Sequence, residues 1–208
     1  MTDSFPRRHF LPGQWFGQLM LRLTGWRVEG ELPRLAKCVV VVAPHTSNWD
    51  FFFGMAAALA LDLDASWFGK HTLFRFRPVA WLLTRLGGIP VDRSHPQGVI
   101  QQVIDQCRSR KQFLFGIAPE GTRSRVTRWK TGAYLIAHAT GMPILPVRFD
   151  YPRRRLTILT PYQPGADMDQ EMLKLSSFYS AKQAKKPEKF SRHLSDVTPP
   201  PPPDAGDC

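Results

Sequence analysis

One short run decides most of what this chain can become. Val39-Val40-Val41-Val42-Ala43 is apolar, β-branched and closed by Pro44, which reads as a buried strand. The next residues are equally constrained. Pro44-His45-Thr46-Ser47-Asn48-Trp49-Asp50 offers Ser, Asn and Asp as caps for a helix expected over 51–61. His45 is thereby placed on a turn at the end of a central strand, where open α/β sheets gather their sites. Asp50 follows near the helix start, and a turn between the two lets its carboxylate fold back onto the imidazole. A carboxylate on one ring nitrogen fixes the tautomer and leaves the other nitrogen free to take a proton. That is half of a triad without a nucleophile, which suits activation of a substrate's own hydroxyl.

Most His and Asp residues at this spacing are only a turn histidine and a helix cap. A second stretch changes the balance. The strand-like run 113–117 leads into Ala118-Pro119-Glu120-Gly121-Thr122-Arg123-Ser124, and two charged strand-end loops can converge on one pocket. Taken together, the two stretches resemble the glycerolipid acyltransferase family, in His-x-x-x-x-Asp followed by Pro-Glu-Gly-Thr-Arg-Ser. Gly87-Gly88-Ile89-Pro90-Val91-Asp92-Arg93, Ile144-Leu145-Pro146-Val147, Lys70 and Lys130-Thr131-Gly132-Ala133 also fit that pattern, in the right order. Pro44, Pro90 and Ala118 depart from it but leave the charged residues intact.

The resemblance implies transfer of a fatty acyl group from acyl-CoA or acyl carrier protein to the hydroxyl of a lysophospholipid. The favoured acceptor is 1-acyl-glycerol-3-phosphate; glycerol 3-phosphate and other lysolipids are alternatives. His45 is the expected general base and Asp50 its orienting partner. Arg123 is the first candidate for the acceptor's phosphate, because guanidinium binds phosphate through two parallel hydrogen bonds. Lys70 and Arg93 are second candidates. Glu120 is expected to orient Arg123 or meet a glycerol hydroxyl. Gly121 and Thr122 complete the expected substrate loop, and backbone N–H groups of the 119–122 turn are the first choice for an oxyanion site. No metal or resident cofactor is called for, and no Gly-x-Ser-x-Gly elbow is present.

The rest of the chain reads as alternating strand and helix. Strands are expected at 26–31, 37–43, 65–69, 89–91, 113–117, 143–150 and 154–160. Helices are expected at 14–23, 51–61, 78–86, 94–108, 130–140 and 167–184. This predicts an α/β fold with a mixed, largely parallel central sheet. Residues 1–25 are expected to be an arm, loose over 1–13, and an amphipathic helix, 26–184 the acyltransferase domain, and 185–208 a polar, Pro-rich disordered tail.

Charge supplies the remaining constraint. A net charge of +11 with six Trp implies an anionic partner, and aromatics beside basic groups fit a membrane interface. In the first helix Trp15, Phe16, Leu19, Met20 and Leu23 share one face. That face either packs on the core or lies in the membrane plane, and both hold if one flank packs and the other meets lipid. The apolar stretch 51–61 is about half the ~20 residues a spanning helix needs. A peripheral place on the cytoplasmic membrane face is therefore expected. Cys38, Cys107 and Cys208 have no metal spacing and fit a reducing compartment. A nucleic-acid binder is disfavoured, because no zinc-finger spacing or RNA-recognition signature is present. A non-catalytic lipid carrier is a stronger rival, opposed by the intact His45/Asp50 pair.

Overall fold

A computed structural model describes residues 5–91 and 96–193. In order, these form α1 (Leu11–Thr24), β1 (Arg27–Glu29), β2 (Lys37–Ala43), α2 (Asn48–Ala60), β3 (Ala65–Lys70), α3 (Arg77–Arg85), β4 (Gly88–Val91), α4 (Pro96–Ser109), β5 (Phe113–Ile117), α5 (Gly132–Thr140), β6 (Ile144–Asp150), β7 (Arg155–Ile158) and α6 (Met168–Ser177). The valine run is β2. It lies in the middle of a seven-stranded sheet ordered β1-β7-β6-β2-β5-β3-β4. Strands β6, β2, β5, β3 and β4 are parallel; β7 is antiparallel to β6, and β1 pairs with β7 at the edge. The sheet is thus mixed and largely parallel, as the alternating pattern predicts.

Alternate side chains along β2 serve opposite faces of the sheet. Val39, Val41 and Ala43 join Val103, Phe113, Phe115, Ile136 and Met172 in one core with α4, α5 and α6. Cys38, Val40 and Val42 face the other layer, which Phe53, Ala56, Ala57, Phe149 and Leu21 fill beneath α2 and α1. Burial pushes the Cys38 thiol up to about 12, so it packs as a small apolar group. The chain leaves β2 for β3 on one side and crosses from β5 to β6 on the other. The sheet therefore reverses its winding beside β2, and a crevice opens outside the carboxyl ends of β2, β5 and β6.

Four expectations are revised. The N-terminal arm is stitched to the domain over residues 5–10: Phe5 is buried, the Arg8 N–H donates to the Asp62 carbonyl at 3.0 Å, and the Arg8 guanidinium pairs with Asp64 at 3.5 Å. Helix α1 starts at Leu11, with Pro12 in its first turn, where a missing N–H costs nothing. Helix α6 ends at Ser177, well short of residue 184, because Ser176 and Ser177 bond back to carbonyls of their own turn and Tyr179 dives into the core to donate to the Val41 carbonyl at 2.9 Å. Finally, residues 185–193 pack against the domain, where Ser191 and His193 are buried. The rest of the expected tail, 194–208, lies outside the described residues.

Helix α1 packs on the domain by its small-residue flank. Its buried residues are Gly13, Gly17 and Leu21. A Cβ on Gly17 would lie 2.5 Å from both the Ala56 carbonyl oxygen and the Ala60 nitrogen, so the glycine lets the backbones of α1 and α2 meet. Most of the expected apolar face turns outward: Trp15 is 77% exposed, and Leu11, Phe16, Leu19 and Leu23 are exposed beside it, while Met20 packs against the core. Helix α3 buries nothing, and Phe76, Trp81 and Leu82 are exposed on and beside it.

Candidate active site

The site is built at the carboxyl end of β2. The Ala43–Pro44 peptide is cis, and His45 follows it. Ser47 caps α2: its hydroxyl accepts the Trp49 N–H at 3.3 Å, while Asp50 reaches back to accept the Ser47 N–H at 2.7 Å. This reciprocal box fixes the carboxylate. The same Asp50 oxygen lies 3.3 Å from His45 Nδ1, and its other oxygen accepts the Tyr151 hydroxyl. Asp50 is only 2% exposed, so the Ser47 N–H and the Tyr151 hydroxyl satisfy a carboxylate that water does not reach, with His45 Nδ1 in contact beside them. With Nδ1 engaged, Nε2 is the nitrogen left to take a proton.

Tyr151 stands just past β6. Its ring meets Trp26 edge-on at 4.9 Å, which holds the hydroxyl on Asp50. Burial first, then the Asp50 hydrogen bond and charge, raise its pKa, so it stays a donor. Sequence reasoning missed it; the signal available was its place at the end of the strand beside β2.

Glu120 comes from the loop after β5. Its expected partnership with Arg123 is replaced by another. One oxygen accepts the His45 N–H at 2.6 Å, and the other is buried without a hydrogen-bond partner among the described residues. Desolvation pushes the carboxyl up to about 8; the nearby Asp50 charge adds to this and the His45 N–H opposes it. Glu120 therefore braces the His45 loop from beneath. Gly121 and Thr122 serve the turn itself. The Gly121 N–H donates to the Ala118 carbonyl at 3.1 Å, so it is already engaged and does not fit the expected oxyanion role. Thr122 Oγ1 accepts the Ser124 N–H at 3.3 Å.

Arg123 is exposed and lines a cavity of about 350 Å³ with Thr46, Ser47, Asn48, Trp49, Lys185, Lys186 and Lys189. Lys70 ends β3 at the same edge of the sheet but does not line this cavity. Strand β5 stands between β3 and β2, which puts Lys70 roughly two strand spacings, about 10 Å, from the His45 strand. Arg93 lies outside the described residues. The three lysines had no local signal, because a Lys-rich stretch around Pro187 reads as tail. Among the described residues no group of three His, Cys, Asp or Glu is placed to hold a metal ion.

The arrangement is that of an α/β protein with a buried-carboxylate His–Asp pair at the carboxyl ends of its strands. The Acyltransferase family model matches residues 26–150, and the chain belongs to that family. It is 31% identical over 144 residues to the 1-acyl-sn-glycerol-3-phosphate acyltransferase of Escherichia coli, covering 65% of this chain and 57% of that protein. It is 28% identical over 159 residues to a chloroplastic 1-acyl-sn-glycerol-3-phosphate acyltransferase of Brassica napus, covering 71% and 44%. The chain thus spans about half the length of the curated relatives it matches. The crystal structure of the 1-acyl-sn-glycerophosphate acyltransferase from Thermotoga maritima shares the fold, with a TM-score of 0.55 and 20% identity over 76% of this chain and 70% of that one.

Proposed function

We propose that this chain moves a fatty acyl group from an acyl thioester, acyl-CoA or acyl carrier protein, to the hydroxyl of a lysophospholipid, with 1-acyl-glycerol-3-phosphate as acceptor. The observation that carries this reading is the His45–Asp50 contact at 3.3 Å inside the span matched to the family. His45 Nε2 takes the acceptor's hydroxyl proton as that oxygen attacks the thioester carbonyl. Asp50 supports the imidazolium that forms. The tetrahedral intermediate collapses, the C–S bond breaks, and the departing sulfur recovers the proton from His45. No acyl-enzyme is formed, so no serine or cysteine nucleophile is required. Arg123 is the expected phosphate ligand on the acceptor.

The same reading places the protein peripherally on the cytoplasmic face of the membrane, where long-chain substrates reside. The outward aromatic face of α1 and the fully surface-borne α3 support it. Among the described residues no helix is long and apolar enough to cross a membrane. The test is thiol release from acyl-CoA and from acyl carrier protein across a panel of lysolipids. Release dependent on lysophosphatidate is expected. Equal slow release with and without every acceptor would refute transfer.

A further inference from the structure

The cavity beside His45 draws much of its charge from the far end of the chain. Residues 181–193 cross the carboxyl edge of the sheet as a strap, beyond the span matched to the family. Its anchors are specific. The Gln183 carbonyl accepts the Tyr151 N–H at 3.0 Å, and the Lys186 N–H donates to Thr46 Oγ1 at 3.2 Å. Ser191 Oγ accepts the Val126 N–H at 2.8 Å, and His193 Nδ1 accepts the Trp129 N–H at 3.1 Å. The Lys185 ammonium sits 4.7 Å from the centre of the Trp49 ring. Thus held, the strap brings Lys185, Lys186 and Lys189 to the cavity that Arg123 also lines. Among the described residues none of these four cations forms an ion pair with a carboxylate. Four like charges around about 350 Å³ repel one another, and an anion relieves that repulsion.

We propose that Lys186 and Lys189, with Arg123, form the subsite for the acceptor's phosphate, and that the strap thereby selects acceptors ending in a phosphate monoester over lysolipids whose phosphate is esterified on both sides. The identity of the acceptor rests on the acyltransferase reading; the anion site does not. Two arguments fix the occupant. A monoester carries about −1.5 to −2 charge near neutral pH and offers three acceptor oxygens. A choline- or ethanolamine-bearing diester presents one negative charge and a cation, which a cluster of ammonium groups repels. Reach decides between acceptor and donor. The cavity is walled by Thr46, Ser47, Asn48 and Trp49, immediately after the base. A glycerol phosphate stands only a few bonds from the hydroxyl that His45 must reach, whereas the phosphates of acyl-CoA lie at the far end of its pantetheine arm.

The test compares the wild-type chain with Lys186→Gln/Lys189→Gln. Calorimetric binding of glycerol 3-phosphate, without vesicles or acyl donor, should weaken at least about tenfold, since each charge-assisted contact is worth about that much. With short-chain, monomeric acceptors the KM for lysophosphatidate should rise similarly, the KM for lysophosphatidylcholine should not, and the donor KM should hold. Lys186→Arg/Lys189→Arg should retain the affinity. If the double variant fails to fold, Lys189→Gln alone carries the same comparison. Unchanged glycerol 3-phosphate affinity overturns the subsite, as does a loss confined to the donor's KM. Because the binding arm needs no turnover, weakened phosphate binding in a chain that never releases thiol would refute acyl transfer and leave the subsite standing.

Discussion

The carboxyl end of β2 and the outer face of α1 invert the usual rule in opposite directions. At the first, Thr46, Ser47, Asp50 and Glu120 are polar and buried. At the second, Trp15, Phe16, Leu19 and Leu23 are apolar and exposed, while Gly13, Gly17 and Leu21 take the buried positions. Both inversions cost stability if nothing uses them, and both touch the same helix. Helix α2 presents Asp50 to His45 at its start, exposes Trp49 and Phe52 beside it, and receives Gly17 against Ala56 and Ala60 further along. The buried hydrogen-bonded network and the exposed apolar surface are thus joined by one helix, and on the proposed function the first serves chemistry and the second access.

The largest effect should come from breaking the buried side. Asp50→Asn keeps the shape but removes the charge facing Nδ1, and turnover should fall about 10²–10⁴-fold in a protein that melts as a single transition. Steady-state assay with a soluble acceptor checks this without involving the membrane.

Glu120 gives the next effect, on stability. In the unfolded chain its carboxyl ionises near 4.5; in the folded chain burial holds the proton up to about 8. The folded state therefore binds more protons between those values, so stability falls as pH rises from about 4.5 to about 8 and levels off above. Glu120→Gln should flatten that slope while still accepting the His45 N–H. Thermal melts at about pH 5 and about pH 8 should show a smaller drop for the variant. Glu120→Ala leaves that N–H without its partner and should cost about 1–3 kcal/mol.

The exposed side should respond in the opposite way. Trp15→Ser, Phe16→Ser and Leu19→Ser together should shift folding stability little, as surface changes do. They should reduce sedimentation with anionic vesicles and leave turnover of short-chain acceptors intact. Equal vesicle binding would mean that α1 is not the membrane contact. Gly17→Ala sharpens the contrast: one methyl on the buried flank must displace backbone, at a cost of about 1–3 kcal/mol.

What could be read in advance follows from how local each signal is. Strands β2 and β5 fall on the expected residues because short, β-branched or aromatic apolar runs closed by Pro or a charged loop have few other solutions. His45 and Asp50 were legible because the cap geometry and the pairing lie within one turn. Tyr151 was not, since its bond to Asp50 spans 101 residues. Nor was the partner of Glu120, because a charged residue beside Arg123 in sequence gives no hint that its carboxyl turns under His45. In α1 the apolar face was legible but its direction was not. Gly17 outweighs four large residues, because its missing side chain lets α2 approach, and only Met20 of the expected face packs inward.

The most direct test is acceptor-dependent thiol release from acyl-CoA by His45→Ala. His45 is partly open to solvent at 19% of its side chain and packs no core, so the variant should fold. Release should require lysophosphatidate in the wild type and fall about 10²–10⁴-fold in the variant. Near-normal acceptor-dependent release by folded His45→Ala would show that another group takes the hydroxyl's proton.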